Sequence, residues 1–311
     1  MVLGGFLVLT IVSGLWAAES KFPNKPIVII VSYPAGGGVD TGARGIAPYV
    51  RKHLEVPILI ENVPGANGKI GITKAWKAKP DGYTLVAIAS PLEAIVNEHL
   101  FDAEYKTKDF TPIFGYSKEN SVLVVNINTY KTLDELVNDA KKRVLSTGIS
   151  AKGAASHVNG LLLVNKLGLK VNWVPFGGGA PSLTALAGRH IDFAFAAVPA
   201  AIPLIRGGKL RPLLVFSDER DPFLPETMLP KEAGYNFTGL TSIRDFLAPP
   251  KVPSRITEVL EKAFEKAVIE PGYREWAKHA GVNLVPISSK ECKSITEEQH
   301  KMVGELIHLL K

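Results

Sequence analysis

The chain has 311 residues, of which 46% are hydrophobic and 21% are charged, and this composition excludes a disordered protein. At roughly 100–200 residues per domain, the length predicts two domains or one large one. Residues 1–18 carry no charge, and the later uncharged run of that length, residues 171–188, is interrupted by glycines and prolines, so a polytopic membrane protein is excluded as well. Lys and Arg outnumber Asp and Glu by 36 to 30 but are scattered along the chain, which suits capture of a small anion better than binding of nucleic acid.

Residues 1–20 have the features of a secretory signal peptide. An apolar run from Gly4 to Val12 is followed by small residues, and cleavage is expected between Ala17 and Ser20. No Lys or Arg precedes the apolar run, so an uncleaved membrane anchor and a buried first strand stay open as alternatives. We expect the mature protein to be periplasmic or otherwise extracytoplasmic.

After Lys21, short β-branched runs alternate with helical patterns, which predicts α/β units around a largely parallel sheet. The first unit consists of a strand over 26–31, the glycine loop 36–38 and a helix over 41–53, with Asp40 placed to cap that helix. A strand over 57–61, a helix over 70–78 and a strand over 83–89 complete this half.

The same order of elements then occurs a second time. A strand ending at residue 148 leads through the small-residue loop 151–155 to a helix over 156–167. A strand over 171–174, the glycines 177–179, a helix over 181–187 and a strand over 191–195 follow. Two equivalent lobes are therefore predicted, with lobe 1 formed by 21–122 and 245–311 and lobe 2 by 123–244. The strands over 121–126 and 243–248 are predicted to connect them.

The C-terminal residues are predicted to form two helices that complete lobe 1. Apolar residues recur on one face over 254–269, and Ser288 with Glu291 forms a capping-box pattern at the start of the last helix. The lone Cys292 is expected in the apolar stripe of that last helix, since one cysteine can form neither an internal disulfide nor a cysteine cluster.

The two small-residue loops are the candidate binding elements. Each precedes a helix, and a glycine-rich turn that opens a helix presents free backbone N–H groups and the positive end of the helix dipole. Two such loops facing a shared cleft would hold a carboxylate or a phosphate from both sides. The alternative is that these glycines only permit tight turns.

Catalytic patterns are poorly represented in the sequence. The chain has no phosphate-binding Walker loop, no dinucleotide-binding glycine spacing and no nucleophile elbow. Its seven histidines are dispersed, so no metal site and no cofactor are expected, and the protein is not expected to be an enzyme. His157 lies in the first turn of its helix, where it could contact an anion or be purely structural.

Several ordered motifs together resemble one family over nearly the whole chain from Lys21. They are residues 33–40 (YPAGGGVD), 61–68 (ENVPGANG), 80–85 (PDGYTL), 156–157 (SH), 174–181 (VPFGGGAP) and 207–213 (GGKLRPL). This pattern is similar to that of the Bug, or TctC, family, the extracytoplasmic solute-binding proteins of tripartite tricarboxylate transporters.

The resemblance implies a type II periplasmic-binding-protein fold, in which two α/β lobes joined by a two-strand hinge close like a Venus flytrap. It implies a small organic carboxylate as ligand, no cofactor, and integral membrane permease subunits as partners. Carried over motif by motif, the ligand-binding residues would be Tyr33, Gly37, Gly38, Asp40, Ser90, Ala154, Ala155, Ser156, His157, Phe176, Gly177 and Ala197.

This chain also departs from the family pattern. Val39, the Phe176-Gly177-Gly178 run and the Ala196-Ala197 pair replace residues that carry hydrogen-bonding side chains in many members. The distal pocket should therefore favour a small ligand or one with an apolar or aromatic body. Two other functions stay open: a ligand-sensing subunit for a membrane sensor kinase and, less favoured, an enzyme built on the same fold.

Overall fold

The structure is a computed structural model that describes residues 22–237 and 239–310. The predicted signal peptide, residues 1–20, lies outside these ranges. Within them, no helix combines the length and the apolar character that crossing a membrane requires.

The chain folds into alternating strands and helices. The strands are β1 (Ile27–Val31), β2 (Ile58–Asn62), β3 (Thr84–Ile88), β4 (Thr111–Glu119), β5 (Ser121–Asn126), β6 (Leu145–Ile149), β7 (Val171–Pro175), β8 (Phe193–Ala197), β9 (Leu210–Phe216), β10 (Ser242–Ala248) and β11 (Leu284–Ile287). The helices are α1 (Gly38–Leu54), α2 (Lys69–Trp76), α3 (Pro91–Leu100), α4 (Leu133–Ala140), α5 (Ala155–Lys166), α6 (Gly179–Ala187), α7 (Val198–Arg206), α8 (Ser254–Ile269), α9 (Pro271–His279) and α10 (Ser289–Leu310).

Lobe 1 is built on a sheet with the strand order β11-β4-β10-β3-β1-β2. The β-branched β1 lies between β2 and β3, parallel to both, and its residues Ile27, Ile29 and Val31 are fully buried beneath α1 and α8. Strands buried on both faces read as continuous apolar runs, which is why the sequence predicts β1 so clearly. By contrast, β10 runs antiparallel to β3 and β4.

Lobe 2 repeats this topology with the order β7-β6-β8-β5-β9. Here β6 is parallel to β7 and β8, while β5 is antiparallel to β8 and β9. The positions of β5 in lobe 2 and β10 in lobe 1 are equivalent. The internal repeat predicted from the sequence is therefore confirmed, and the two strands predicted as connections are the antiparallel strands of the two sheets.

The chain changes sheet at two places. It leaves the first sheet after Glu119 and enters the second at Ser121, and it returns between Phe216 and Ser242. The predicted boundaries, 122/123 and 244/245, fall inside β5 and β10. We propose that the lobes divide where the sheets divide.

The predicted start of the first helix at Thr41 is wrong, because α1 begins at Gly38. Glycine has a low helix propensity, so the apolar pattern does not reveal the first turn. The sequence patterns predict neither strand β4 nor helix α7. Pro112 and Gly115 interrupt the periodic pattern of β4, and Pro199 and Pro203 interrupt that of α7.

The predicted helix over 254–269 and the capping box of the last helix are confirmed, whereas α9 and β11, which lie between α8 and α10, have no sequence prediction. Ser288 and Glu291 form a reciprocal capping box, with the Ser288 N–H donating to Glu291 Oε2 at 3.0 Å and the Glu291 N–H donating to Ser288 Oγ at 3.3 Å. Cys292 is fully buried beside Ile243 and Ile287, and burial raises the pKa of its thiol. It is a core residue and not a reactive one.

Candidate functional site

The carboxyl ends of the parallel strands of the two mixed sheets face each other. The loop after β2 contacts the loop after β6, where Asn67 Nδ2 lies 3.5 Å from the Lys152 carbonyl oxygen. Next to this contact, α3 of lobe 1 packs on α5 of lobe 2 in an apolar cluster that includes Val96 and Val158. Open α/β sheets bind ligands beyond the carboxyl ends of their strands, so this interlobe region is the candidate site.

The glycine loop of lobe 1 follows β1 and ends at the N-terminus of α1. Gly37 is the N-cap residue and supplies no side-chain cap, while Gly36 adopts φ +77°, a left-handed conformation that favours glycine. The Gly37 N–H donates to the Pro34 carbonyl oxygen at 3.2 Å, so the backbone N–H groups that the loop presents at the positive end of this helix of 17 residues begin with that of Gly38.

Asp40 closes this loop from inside the first turn of α1, rather than as the N-cap expected from the sequence. Its Oδ2 accepts the Gly36 N–H at 2.9 Å, its Oδ1 accepts Asn62 Nδ2 at 2.8 Å, and Arg44 Nε donates to the same carboxylate at 2.9 Å. Burial acts to raise the pKa of Asp40, but these hydrogen bonds together hold it below its usual value. Asp40 is therefore ionised, and its hydrogen bonds fix the shape of the loop.

Tyr33, at the start of the glycine loop, donates its hydroxyl hydrogen bond to Glu93 Oε2 in the first turn of α3. Burial and the neighbouring Glu93 raise the pKa of Tyr33 well above its usual value, so the phenol is neutral. Burial also raises the pKa of Glu93, against the opposing effects of the Tyr33 hydrogen bond and the charge of Arg244. A predicted ligand residue thus directly contacts an acid that the sequence did not single out.

Arg244 of β10 lies against the glycine loop. Its guanidinium forms a two-pronged ion pair with Glu119 at the end of β4, with Nη2 2.9 Å from Oε2 and Nε contacting Oε1. A β carbon placed on Gly38 would be 2.6 Å from Arg244 Nη1. Nη1 and the neighbouring Tyr116 hydroxyl are both buried, and Arg244 acts to lower the pKa of that hydroxyl against the larger effect of burial.

On the lobe 2 side, Ala154 is the N-cap residue of α5 and supplies no side-chain cap, so α5 mirrors α1 across the cleft. Ala155, Ser156 and His157 form the first turn of α5 and are buried. The Gly153 N–H donates to His157 Nδ1 at 2.9 Å, which leaves Nε2 to carry the proton.

His157 is held as a neutral imidazole. Its ring packs edge-on against Trp173 with centroids 4.8 Å apart. Burial, with a smaller contribution from Lys152, lowers the pKa of His157 to about 4. It can therefore offer a neutral N–H donor but no positive charge at physiological pH.

The remaining predicted residues also lie at strand ends. Ser90 caps α3, with its Oγ accepting the Leu92 N–H at 3.2 Å. Phe176 and Gly177 follow β7, where Phe176 packs partly buried on the core of lobe 2. Ala197 ends β8 and is the uncapped N-cap residue of α7. Predicted residues of each lobe are thus gathered at the carboxyl edge of its own sheet.

No local pattern in the sequence points to Glu93, Glu119 or Arg244. Each is a single charged residue in an ordinary context, and they meet only because β4, β10 and α3 converge at one sheet edge. The one available hint was a charged pair, Arg244-Asp245, inside an otherwise apolar strand pattern.

A concave surface of about 810 Å³ lies elsewhere, on the outer side of lobe 1 between α1 and β2. Its lining includes Arg44, Arg51 and Leu59 but none of the predicted ligand residues. The candidate site is therefore the interlobe region and not this groove.

Comparisons with known proteins agree with this fold. Residues 43–311 match the family described as the tripartite tricarboxylate transporter family receptor, TctC. The "UPF0065 protein in gbd 5′ region" of Cupriavidus necator is 31% identical over 262 residues, covering 83% of this chain and 79% of that protein.

Two solved structures extend the comparison. A ligand-free TctC solute-binding protein from Polaromonas is 27% identical with a TM-score of 0.76, covering 92% of this chain and 99% of that one. MatC from Rhodopseudomonas palustris, solved with bound malate, is 26% identical with a TM-score of 0.81, covering 93% of this chain and 100% of that one. The chain has the two-lobed fold of periplasmic binding proteins and belongs to the TctC family of tripartite tricarboxylate transporter receptors.

Proposed function

We propose that this protein binds a small organic carboxylate between its lobes and delivers it to the integral membrane permease subunits of a tripartite transporter. The observation that carries the proposal is the pair of helix N-termini, α1 and α5, whose N-cap residues Gly37 and Ala154 supply no side-chain hydrogen bond. Backbone N–H groups and helix dipoles at such ends bind carboxylates. Family membership and the malate bound to MatC support the same class of ligand.

The proposed contacts divide between the lobes. From lobe 1 they are Tyr33, Gly37 and Gly38, with Ser90 beside them and Asp40 bracing the loop. From lobe 2 they are the first turn of α5, Ala154, Ala155, Ser156 and His157, together with Phe176, Gly177 and Ala197.

The lobe 2 wall supports a ligand with a small or apolar body. Ala196 and Ala197 at the end of β8 bring no hydrogen-bonding side chain, and Phe176 presents a half-buried ring. An apolar wall discriminates weakly among ligands but disfavours a polar group that it cannot pair. We therefore propose a preference for aliphatic or aromatic monocarboxylates.

Residues 1–20 are proposed to direct export, after which the protein acts outside the cytoplasm. We also propose that it is a binding protein and not an enzyme. Support comes from its solute-binding relatives and from the site itself, which offers backbone donors and a neutral imidazole held by Gly153.

A thermal-shift screen of the mature chain against organic acids tests the proposal. A ligand at 100 times its dissociation constant adds about 2.7 kcal/mol to the free energy of unfolding, enough for a clear rise in melting temperature. Calorimetry on the hits then ranks monocarboxylates against dicarboxylates and tricarboxylates. Tighter binding of the latter two would contradict the apolar preference, and no response to any carboxylate would contradict the function.

The variant Gly37→Val tests the role of the α1 N-terminus. Gly37 has φ −71°, which valine can adopt, and the added β carbon would be 3.1 Å from the Pro34 carbonyl oxygen, so a small shift of the loop should accommodate it while the branched side chain covers the first backbone N–H groups. We expect loss of binding with the melting temperature little changed. Retained affinity would show that the glycine loop is only a turn.

A further inference from the structure

The carboxyl edge of the lobe 1 sheet carries a row of ionisable side chains, of which the carboxylate-binding role explains only Tyr33. Tyr33 follows β1, Glu93 begins α3 after β3, Arg244 lies on β10, and Glu119 ends β4. These elements are neighbours in the sheet, so the four groups lie side by side beneath the glycine loop.

The charges in this row do not balance. Arg244 pairs with Glu119 through both Nε and Nη2. The side chain of Arg244 is only 16% exposed and that of Glu119 only 6%. Glu93 has no such partner, because the single hydrogen bond to its carboxylate is the one from Tyr33 to Oε2. Two carboxylates thus face one guanidinium in this part of the described chain.

Glu93 Oε1 is the polar atom left over. Glu93 is a partly buried residue, and this oxygen accepts no hydrogen bond from any residue that the structure describes. Tyr33 donates to the other oxygen, Oε2, and so holds the carboxylate in place. Oε1 is therefore a fixed acceptor that is linked to the glycine loop through Tyr33. Burial raises the pKa of Glu93, whereas the Tyr33 hydrogen bond and the charge of Arg244 favour its ionised form; as a carboxylate it binds a donor well and repels a second anion.

The lobe 2 side of the cleft carries neutral and positively charged groups opposite this row. Around the N-terminus of α5, His157 is neutral and Lys152 is the charged residue that acts on it. A ligand carboxylate is therefore favoured between the two helix ends, and any second polar group that extends along lobe 1 meets Glu93.

We propose that Glu93 is a specificity-determining residue that selects a carboxylate carrying a hydrogen-bond donor, either a hydroxyl or an ammonium group, and rejects a second carboxylate at the same position. The inference rests on the proposed function and names the ligand class for the same site. Together with the apolar wall of lobe 2, this selectivity predicts that the ligands are hydroxy- or amino-substituted monocarboxylic acids.

The test uses two ligand series of constant chain length, examined by calorimetry at about pH 8. The six-carbon series is hexanoate, 6-hydroxyhexanoate, 6-aminohexanoate and adipate; the four-carbon series is butanoate, 4-hydroxybutanoate, 4-aminobutanoate and succinate. Within at least one series, the hydroxy or amino acid should bind about tenfold or more tighter than the dicarboxylate.

The variant Glu93→Gln keeps an acceptor oxygen for Tyr33 and removes the charge. It should strengthen dicarboxylate binding by about tenfold, weaken amino acid binding by a similar factor and leave the unsubstituted acid unchanged. The matched control is Glu98→Gln on the same helix, a buried acid that instead accepts the Thr107 N–H at 2.6 Å. This control should not change the ranking of the ligands.

Three results would overturn the inference. They are a dicarboxylate that binds the wild type tightest, a Glu93→Gln variant that shifts all members of a series equally, and a Glu98→Gln variant that reproduces the change. In each of these cases carboxylates still bind, so the proposed function survives. If no acid in these series or in the wider screen binds, the proposed function fails and this inference fails with it.

Discussion

Gly153 of lobe 2 lies so close to Val96 of lobe 1 that a β carbon added to the glycine would be 2.4 Å from Val96 Cγ1. Gly153 also has φ +84° and donates its N–H to His157 Nδ1. One small residue therefore sets how closely the lobes approach and orients the histidine at the N-terminus of α5.

Gly153→Ala should hold the two lobes apart. The methyl group cannot occupy the position next to Val96, which belongs to a packed helix, so the interlobe contact has to open. We expect a larger radius of gyration by small-angle X-ray scattering and about tenfold weaker binding of whichever ligand the screen identifies.

The control for this change is Gly168→Ala. Gly168 has a similar backbone conformation, φ +62°, with nothing within 4 Å of the added carbon. Both variants should lose about 1 kcal/mol through backbone strain, but only Gly153→Ala should alter lobe separation and affinity. Equal effects of the two variants on scattering would show that the Val96 contact does not limit closure.

Asp40→Ala should loosen the glycine loop. The substitution removes the acceptor for the Gly36 N–H, Asn62 and Arg44, of which the first shapes the loop. We expect the free energy of unfolding, measured with urea, to fall by about 2–3 kcal/mol and ligand affinity to fall by about tenfold. The exposed Asp218→Ala serves as control and should change stability by less than about 0.5 kcal/mol.

The features that the sequence predicts well are those encoded locally. Strand β1 is a run of β-branched residues followed after four residues by three glycines, and the same arrangement of strand, small-residue loop and helix recurs around Ala154. Each such unit is a short-range pattern, so its repetition is visible before any contact is known. This is why both the two-lobed fold and the placement of the glycine loops followed from the sequence.

The charged row under the glycine loop could not be predicted in this way. Arg244 and Glu119 are 125 residues apart in the chain, and they meet only through the register of β10 on β4, which itself contains irregular pairing. Glu93 is held beside them by its contact with Tyr33, which is 60 residues away in the chain. Such contacts depend on strand order and register, and a single sequence carries no pattern for them.

Gly38→Ala should disturb the glycine loop through Arg244. The new methyl group would lie 2.6 Å from Nη1, and the guanidinium cannot simply swing away because Glu119 holds it by two contacts. Overpacking of this kind costs about 1–3 kcal/mol, and we expect weaker ligand binding as the α1 N-terminus shifts.

Gly304→Ala provides the comparison for that variant. Gly304 lies within α10 with open space around the added carbon, so alanine there should be neutral or stabilise the helix by about 0.5–1 kcal/mol. Urea unfolding and calorimetry on both variants separate the two effects. A stable Gly38→Ala variant with full affinity would mean that Arg244 is free to move.

His157 should make the stability of the protein depend on pH. Its pKa is about 4 in the folded state, against about 6.5 in an unfolded chain, so the unfolded state binds the proton more readily. The stability associated with the neutral imidazole is complete above about pH 7 and is lost as the pH falls from about 6.5 towards 4.

This loss should amount to about 2 kcal/mol between pH 7.5 and pH 5. His157→Gln keeps an acceptor for the Gly153 N–H but cannot be protonated, so the stability difference between wild type and variant should shrink by that amount as the pH is lowered. Urea unfolding of both proteins at the two pH values measures this change, because the effects of the carboxylates that both proteins share cancel in the difference. An NMR titration of the His157 ring gives an independent reading. A difference in stability that stays constant, together with a ring that titrates near pH 6.5, would show that His157 is solvated and free to carry charge beside the ligand.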